Sequence, residues 1–296
     1  MTARSVVGVT LALVIMISLA GIWFYPSIQD FMQANSFWNG VKYFSDEFEV
    51  TWTDSLSGLS PNAEDTTLIV IPYTAYNRQS LEEVDEFVRN GGLLLLLDDY
   101  GYGNSLLERL GLETRFSGNP LLDPLFCYKN EWLPRITDFD SGIKQAGIQA
   151  IVFNHGTALL GVDSTRVLAS SSESSFLDLN RNSVLDDGEP QGPFPVAAVS
   201  PLDDGMVFLI SDPSILINSM VGRDDNHTFI DFIIEQYGQD RELLTDISHM
   251  PKTPLDESKS SLIQTRERIA HPYSVVLVTG IVVSLVLRPW KREEAG

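Results

Sequence analysis

The chain is predicted to fold as an α/β protein, a doubly wound and mostly parallel sheet flanked by an N-terminal and a C-terminal transmembrane helix. Three observations predict this. Thr67 to Pro72 (TLIVIP) and Leu93 to Leu97 are short apolar runs without polar alternation, which suits strands buried on both faces. Segments of helical periodicity follow each of them, and strand–helix–strand–helix in sequence implies right-handed crossovers and a parallel sheet. Apolar runs also close both ends of the chain, outside that rhythm.

Composition bounds what the protein can do. Its 296 residues suffice for one large domain or two small ones plus anchors, and 44% are hydrophobic, enough for a full core. Acidic residues number 40 against 20 basic, a formal charge of -20. Such a surface repels phosphate backbones and argues against nucleic-acid binding. Cys127 is the single cysteine, so no intrachain disulfide and no CxxC metal knuckle can form.

Val6 to Phe24 carries no charge over about the length that crosses a hydrocarbon core, with Arg4 before it and Trp23, Phe24 and Tyr25 closing it as an interfacial belt. An uncleaved anchor over residues 1–25 is favoured over a cleaved signal peptide, because the run exceeds a usual h-region and no clean small-x-small site follows. Residues 271–288 contain a second apolar run, Tyr273 to Leu287. It is short for a span, but Arg288, Lys291 and Arg292 follow it in the stop-transfer pattern; a buried terminal helix or strand is the alternative. Basic residues at both extremes, including the 289–296 tail, place both termini in the cytoplasm of a cell-membrane protein. Residues 26–240 would then form an extracytoplasmic domain, and residues 241–270, with Pro251, Pro254 and a Ser258–Ser261 cluster, a polar linker.

Within the domain, Pro26 to Tyr43 reads as a helix striped by Phe31, Phe37, Trp38 and Val41, and Phe48 to Trp52 as an alternating strand. Ser80 and Glu83 form an S-x-x-E capping box before the Leu81, Val84, Phe87, Val88 face, and Asn90-Gly91 ends that helix. Asn104 can cap the next helix. Residues 117–147 are rich in loop signals. Ile148 to Asn154 and Arg166 to Ser170 read as strands, Phe194 to Ser200 and Met206 to Ser211 as a hairpin turned by Asp203-Asp204-Gly205, and Pro213 to Met220 and His227 to Tyr237 as helices. Asn226-His227-Thr228 matches a glycosylation sequon, though Asn226 more simply caps the helix after it.

Two groups of residues are candidates for chemistry. In doubly wound sheets ligands sit beyond the carboxyl ends of strands. Asp98, Asp99, Gly101, Gly103 and Asn104 occupy one such end, Asp212, Ser214 and Asn218 another, and His155 follows a third strand. Brought together, they would make a polar cleft for a sugar, a peptide or a metal, while Asp99 and Asp212 could equally cap helix N-termini. The second group is DLNRNSVLDDGE. Counting Asp178 as the first position, oxygen ligands fall at Asp178, Asn180, Asn182, the Val184 carbonyl, Asp186 and Glu189, the spacing of a calcium loop. Ser183 stands where such loops carry glycine. A structural Ca2+ and a solvated acidic loop are the two readings.

The runs LLLLLDDYGYGNSLLERLGL, NPLLDPLFCYKNEWLP, FPVAAV and VFLISDPSILINSM resemble the DUF4350 family over about residues 35–240. That resemblance implies a prokaryotic, archaeal membrane protein with a flavodoxin-like fold. It is related to class I glutamine amidotransferases and to the GIFT domains of gliding-motility and intraflagellar-transport proteins. It also implies envelope or transporter-like membrane proteins as partners. An amidotransferase keeps a cysteine nucleophile on a strand-to-helix elbow. The matching turn here holds Asp98, Asp99 and Tyr100, so no thiolate can form there. Cys127 lies in a loop without elbow glycines. The expectation is therefore a binding or scaffolding domain on a catalytically degenerate fold, with a hydrolase using Asp98, Asp99, Asp212 and His155 as the alternative.

Overall fold

The computed structural model describes residues 3–163, 166–238, 240–251 and 253–270. The chain separates into two units, residues 28–251, and residues 1–27 together with 252–296.

The larger unit is built on one sheet of eight strands. They are β1 (Thr51–Thr53), β2 (Thr66–Val70), β3 (Leu93–Leu97), β4 (Asp138–Phe139), β5 (Val167–Ser170), β6 (Pro195–Leu202), β7 (Gly205–Ile210) and β8 (Glu242–Asp246). Their spatial order is β1-β8-β2-β3-β7-β6-β5-β4. The four junctions from β1 to β7 are parallel. The three from β7 to β4 are antiparallel, so a parallel body carries an antiparallel wing. The helices are α1 (Ala3–Phe24), α2 (Lys42–Glu47), α3 (Arg78–Arg89), α4 (Asn104–Arg109), α5 (Ser141–Gln145), α6 (Asn226–Gly238) and α7 (Pro254–Ala270).

The five leucines of β3 explain both core layers. Successive strand residues point to opposite faces. Leu94 and Leu96 pack with Val84 and Phe87 of α3 and Leu106 and Leu107 of α4, while Leu95 and Leu97 pack with Phe229, Ile230 and Ile233 of α6. Both faces are covered, so no alternate position can be polar, and each buried leucine contributes ~1.5–3 kcal/mol of transfer free energy. The predicted mixed α/β class with a mostly parallel central sheet is observed, as is the hairpin, now β6–β7, with Asp203 in the left-handed region (φ 50).

Several elements differ from expectation. Residues 28–41 form turns, not a helix. Asn35 donates to the Gln29 carbonyl and to Asn39 and accepts from the Phe37 N–H, closing the chain on itself, and Phe31 takes a left-handed φ of 56. Asn77, not Ser80, caps α3, accepting from the Ser80 N–H at 3.0 Å; Glu83 of the expected capping box accepts from Ser57 and Gln79 instead. The strand expected over 148–154 shrinks to Ile151–Val152, paired with Arg135–Ile136 outside the main sheet. Asp225 accepts from the N–H groups of Gln149 and Ala150, and Asn226 clasps both the N–H and the carbonyl of Val152, so the start of α6 takes up the hydrogen bonds a neighbouring strand would have used. The Asn226 side chain, expected to cap the helix, is spent instead on Val152 and on the Met220 carbonyl. After Asp212 only a 3-10 turn forms, Pro213–Leu216.

The largest correction concerns the expected polar linker. Glu242–Asp246 of that segment is β8, seated between β1 and β2, and Pro254–Ala270 is α7. The larger unit therefore runs to residue 251 and not to 240.

In the smaller unit, Val6–Phe24 of α1 is long and apolar enough to cross a membrane, with mean hydropathy 2.4 and none of it buried by protein. Lys259 of α7 donates to the Tyr25 carbonyl, and the Arg266 guanidinium lies over the Trp23 ring at 5.9 Å. Of the expected flanking pair, this candidate helix lies among the described residues; the second predicted span, 271–288, and the tail after it lie outside them.

Candidate functional site

The turns that leave β2, β3 and β7 meet at the carboxyl end of the parallel body. Asp98 follows β3 directly and is 1% exposed. Its Oδ1 accepts from the N–H groups of Tyr100 (2.9 Å) and Gly101 (3.0 Å), and its Oδ2 from Gly103 (2.6 Å). A Cβ at Gly103 would come within 3.1 Å of that Oδ2 and 3.2 Å of Leu96, so the tight wrap leaves a side chain little room there. Burial pushes the Asp98 pKa up and the three N–H groups pull it back. Asn104 stands inside this turn, but its side chain pairs with the N–H and carbonyl of Phe116 and does not cap α4.

Asp212 is wholly buried after β7. It accepts from Ser214 N–H at 2.7 Å and from Asn154 N–H at 2.5 Å, which ties the 154–157 turn to the end of the sheet. Burial raises its pKa to about 7 against those two donors. Gly156 makes the approach possible, since a Cβ there would lie 3.0 Å from the Ser211 carbonyl and 3.1 Å from Asp212 Cβ. Asn218 faces another way. It accepts from Tyr43 N–H and donates to the Phe37 carbonyl at 2.6 Å, stapling the 35–43 turns.

Asp99 is different. It is partly buried, and its carboxyl makes no hydrogen bond to any other described residue. Burial first, then the charges of Asp212 and Asp98, push its pKa to about 8. It opens onto a cleft with two lobes. One, about 160 Å³, is lined by Asp99, Tyr100, Gly118, Trp132, His155 and Arg181. The other, about 150 Å³, shares Asp99, Tyr100 and His155 and adds Asp30, Trp38, Tyr73, Asn154 and Ser214. His155 holds a left-handed φ of 62, donates its N–H to the Trp132 carbonyl at 3.0 Å, and rests its ring 4.8 Å from the Trp132 ring. Backbone in that region costs on the order of 1 kcal/mol or more and is often found at sites. Partial burial lowers the His155 pKa, which favours the neutral ring. Tyr73 donates to Asp30 at 3.1 Å; burial, then Asp30, keep its phenol protonated.

Of the predicted ligand-binding group, Asp99, His155 and Ser214 reach the cleft. Asp98, Gly101, Gly103, Asn104 and Asp212 do not line it but shape the turns that carry its residues, and Asn218 serves a neighbouring loop. Sequence reasoning missed Asp30, Tyr73, Tyr100, Trp132, Asn154 and Arg181. Tyr73 and Tyr100 carried one signal, an aromatic ring three residues past a strand end.

The 178–189 loop closes on its own polar groups. Asp178, fully buried, accepts from Asn182 (3.1 Å) and Ser183 (2.8 Å) N–H groups. Asn180 and Asn182 each donate to Asp186 at 2.7 Å, and Glu189 accepts from Leu179 and Asp186 N–H groups. Ser183 has φ 63, the conformation glycine adopts most easily. Among the described residues no group of three or more His, Cys, Asp or Glu side chains stands close enough to hold a metal ion. The donor set of carboxylates, amides and the Val184 carbonyl is nevertheless of hard oxygen type. The same loop projects Arg181 into the cleft.

Cys127 lies away from the cleft, bridged to Pro134, and burial followed by Asp123 raises its thiol. A larger groove of about 720 Å³ near Phe48, Glu235 and Glu242 lies at the amino end of β8; Arg241 there is committed to the carbonyls of Ala63, Thr66 and Gly91.

The sequence matches the domain of unknown function DUF4350 over residues 44–231. Comparison with curated proteins gives no match. Among solved structures, the mmIFT52 N-terminal domain is similar at TM-score 0.50 and 15% identity, over 67% of this chain and 89% of that one. A beta-galactosidase from Bacillus circulans sp. alkalophilus is similar at TM-score 0.36 and 13% identity, over 58% of this chain and 23% of that one. The GH42 beta-galactosidase Gan42B gives TM-score 0.33 and 13% identity, over 62% and 23%.

Proposed function

The chain belongs to the DUF4350 family, a domain of unknown function, and from that premise we propose that it is a membrane-anchored extracytoplasmic binding domain on a catalytically degenerate, amidotransferase-like and flavodoxin-like fold. One observation carries the binding reading. Asp99, Tyr100, Tyr73, Trp132 and His155 converge on one open cleft at the carboxyl end of the sheet, the usual place for a ligand in such folds. The degenerate reading is supported by the two other aspartates, whose oxygens are committed to backbone N–H groups. No cysteine lines the cleft. Anchoring is supported by α1, and the topology, with both termini cytoplasmic, by the basic residues at the two ends. Other envelope or transporter-like membrane proteins would be its partners.

The test is a thermal-shift screen of the full chain in lipid nanodiscs against neutral sugars, amino acids, amines and phosphate. A saturable shift that disappears in Asp99→Asn and in His155→Ala supports the reading. No shift with any class, or one that survives in both variants, refutes it.

One observation favours hydrolysis as a second reading: the Asp99 carboxyl, raised to about 8, shares its cleft with a neutral imidazole. An acid and a base on one cavity could protonate a leaving group and activate water. Turnover of a chromogenic glycoside or ester, abolished in Asp99→Asn, would establish it.

We also propose that the 178–189 loop binds Ca2+ through Asp178, Asn180, Asn182, the Val184 carbonyl, Asp186 and Glu189, in a structural role. Support comes from the hard oxygen donor set and from Ser183 taking the glycine-like conformation at the sixth position. Calcium at about 100 times its Kd should stabilise the full chain by ~2.7 kcal/mol relative to EDTA, seen as a higher melting temperature. An equal rise in Asp178→Ala/Glu189→Ala would exclude this loop as the site.

A further inference from the structure

We propose that the cleft takes a short neutral saccharide of one or two sugar rings, a ligand class that rests on the binding reading above. Sugars present an apolar C–H face and an edge of hydroxyls, so their sites pair aromatic planes with groups that both donate and accept. The cleft offers both. Trp38 and Tyr100 leave 67% and 66% of their surface in solvent at its rim, so both rings are open to a ligand. Trp132, backed by His155, walls the opposite lobe. The Asp99 carboxyl both donates and accepts, Asp30 keeps lone pairs beyond those that Tyr73 and Asn39 use, and Arg181 donates in the lobe lined by Trp132.

Charge narrows the ligand further. A phosphate or carboxylate would face Asp30 in a lobe lined by no lysine or arginine. A cation would meet Arg181 in the lobe shared with His155. A neutral polyol meets neither repulsion and can use every polar group present. Size agrees, since the two lobes together fall at the lower end of the range for small-molecule sites. Asp99, Tyr100 and His155 line both lobes, and each lobe is of the size of one sugar ring.

The experiment uses the full chain in lipid nanodiscs, because sugar-headed detergents would compete. Glucose, galactose, mannose, N-acetylglucosamine and their β-1,4-linked disaccharides are titrated by saturation-transfer NMR and tryptophan fluorescence, beside choline, lysine, glutamate and phosphate. The expected result is saturable binding of at least one saccharide, weakened about ten-fold in Tyr100→Ala and in Trp132→Ala. Tyr100 is exposed, so its truncation leaves the core intact; unchanged circular dichroism checks this. Binding of choline, lysine, glutamate or phosphate but no saccharide overturns the ligand class and leaves the cleft a binding site. Silence from every probe overturns both. Saccharide binding unaffected by either aromatic variant places the sugar elsewhere and overturns the assignment.

Discussion

Asp98 and Asp99 leave the same strand one residue apart, yet Asp98 commits its carboxylate to the N–H groups of three other residues and Asp99 finds only its own. Side chains alternate across a strand end, so one carboxylate turned into the body of the turn and the other into the cleft. The difference is one of solvation by protein. Asp98 traded water for three aligned dipoles, and its charge became part of the architecture. Asp99 lost water with only its own N–H in exchange and sits near two other carboxyl groups, so its proton is held unusually tightly. Burial alone does not decide whether an aspartate is scaffold or site; the supply of N–H donors does.

The sharpest way to break this contrast is Asp98→Ala. It strands three N–H groups that the wrap of the turn leaves without another acceptor, and should cost about 3–5 kcal/mol in denaturant unfolding. A cost below about 1 kcal/mol would mean the turn holds itself together without the carboxylate. Asn226→Ala makes the same test at another scaffold position. It removes the clasp on Val152 and the bond to the Met220 carbonyl, and a loss of about 2–3 kcal/mol is expected by the same measurement.

Asp99→Asn probes the other side and should act with the opposite sign. An unfolded aspartate titrates near 3.8, whereas Asp99 in the fold titrates at about 8. Between those values the folded state keeps a proton that the unfolded state has released, so stability falls as pH rises through that window and levels off above it. Asparagine carries no such proton. The variant should equal its parent near pH 4 and exceed it by ~1–2 kcal/mol near pH 9, after discounting for solvent at a partly exposed group. Melting temperatures of both proteins across that range give the answer. A parent whose pH slope is unchanged by the substitution would show that Asp99 titrates normally.

Much of the scaffold was legible because its signals were local. The unbroken apolar runs of β2 and β3 could only be two-sided burial, and the Asp203-Asp204-Gly205 turn announced its hairpin. β8 was not legible. Glu242-Leu243-Leu244-Thr245-Asp246 offers two leucines between polar ends, and only its position between β1 and β2 makes it a strand. Residues 148–154 misled for the converse reason, since their strand-like pattern was answered by Asp225 and Asn226 in place of another strand. The candidate site divided in the same way. Asp99 and His155 were findable from the rule about carboxyl ends of strands. Arg181, Trp132 and Asp30 come from loops far apart in sequence, and no periodicity links them.

β8 carries a last consequence, for the order in which the domain can be made. β1 pairs with β8 and with no other strand of the sheet, and β8 ends at Asp246, almost 200 residues after β1 begins. During synthesis the early chain must wait, with β1 unpartnered and one edge of β2 open, until the segment after α6 emerges. Such late, long-range pairing is slow and leaves strand edges available to other chains. A chain stopped at residue 240 would remain in that waiting state, with a gap in its sheet that a second molecule could fill.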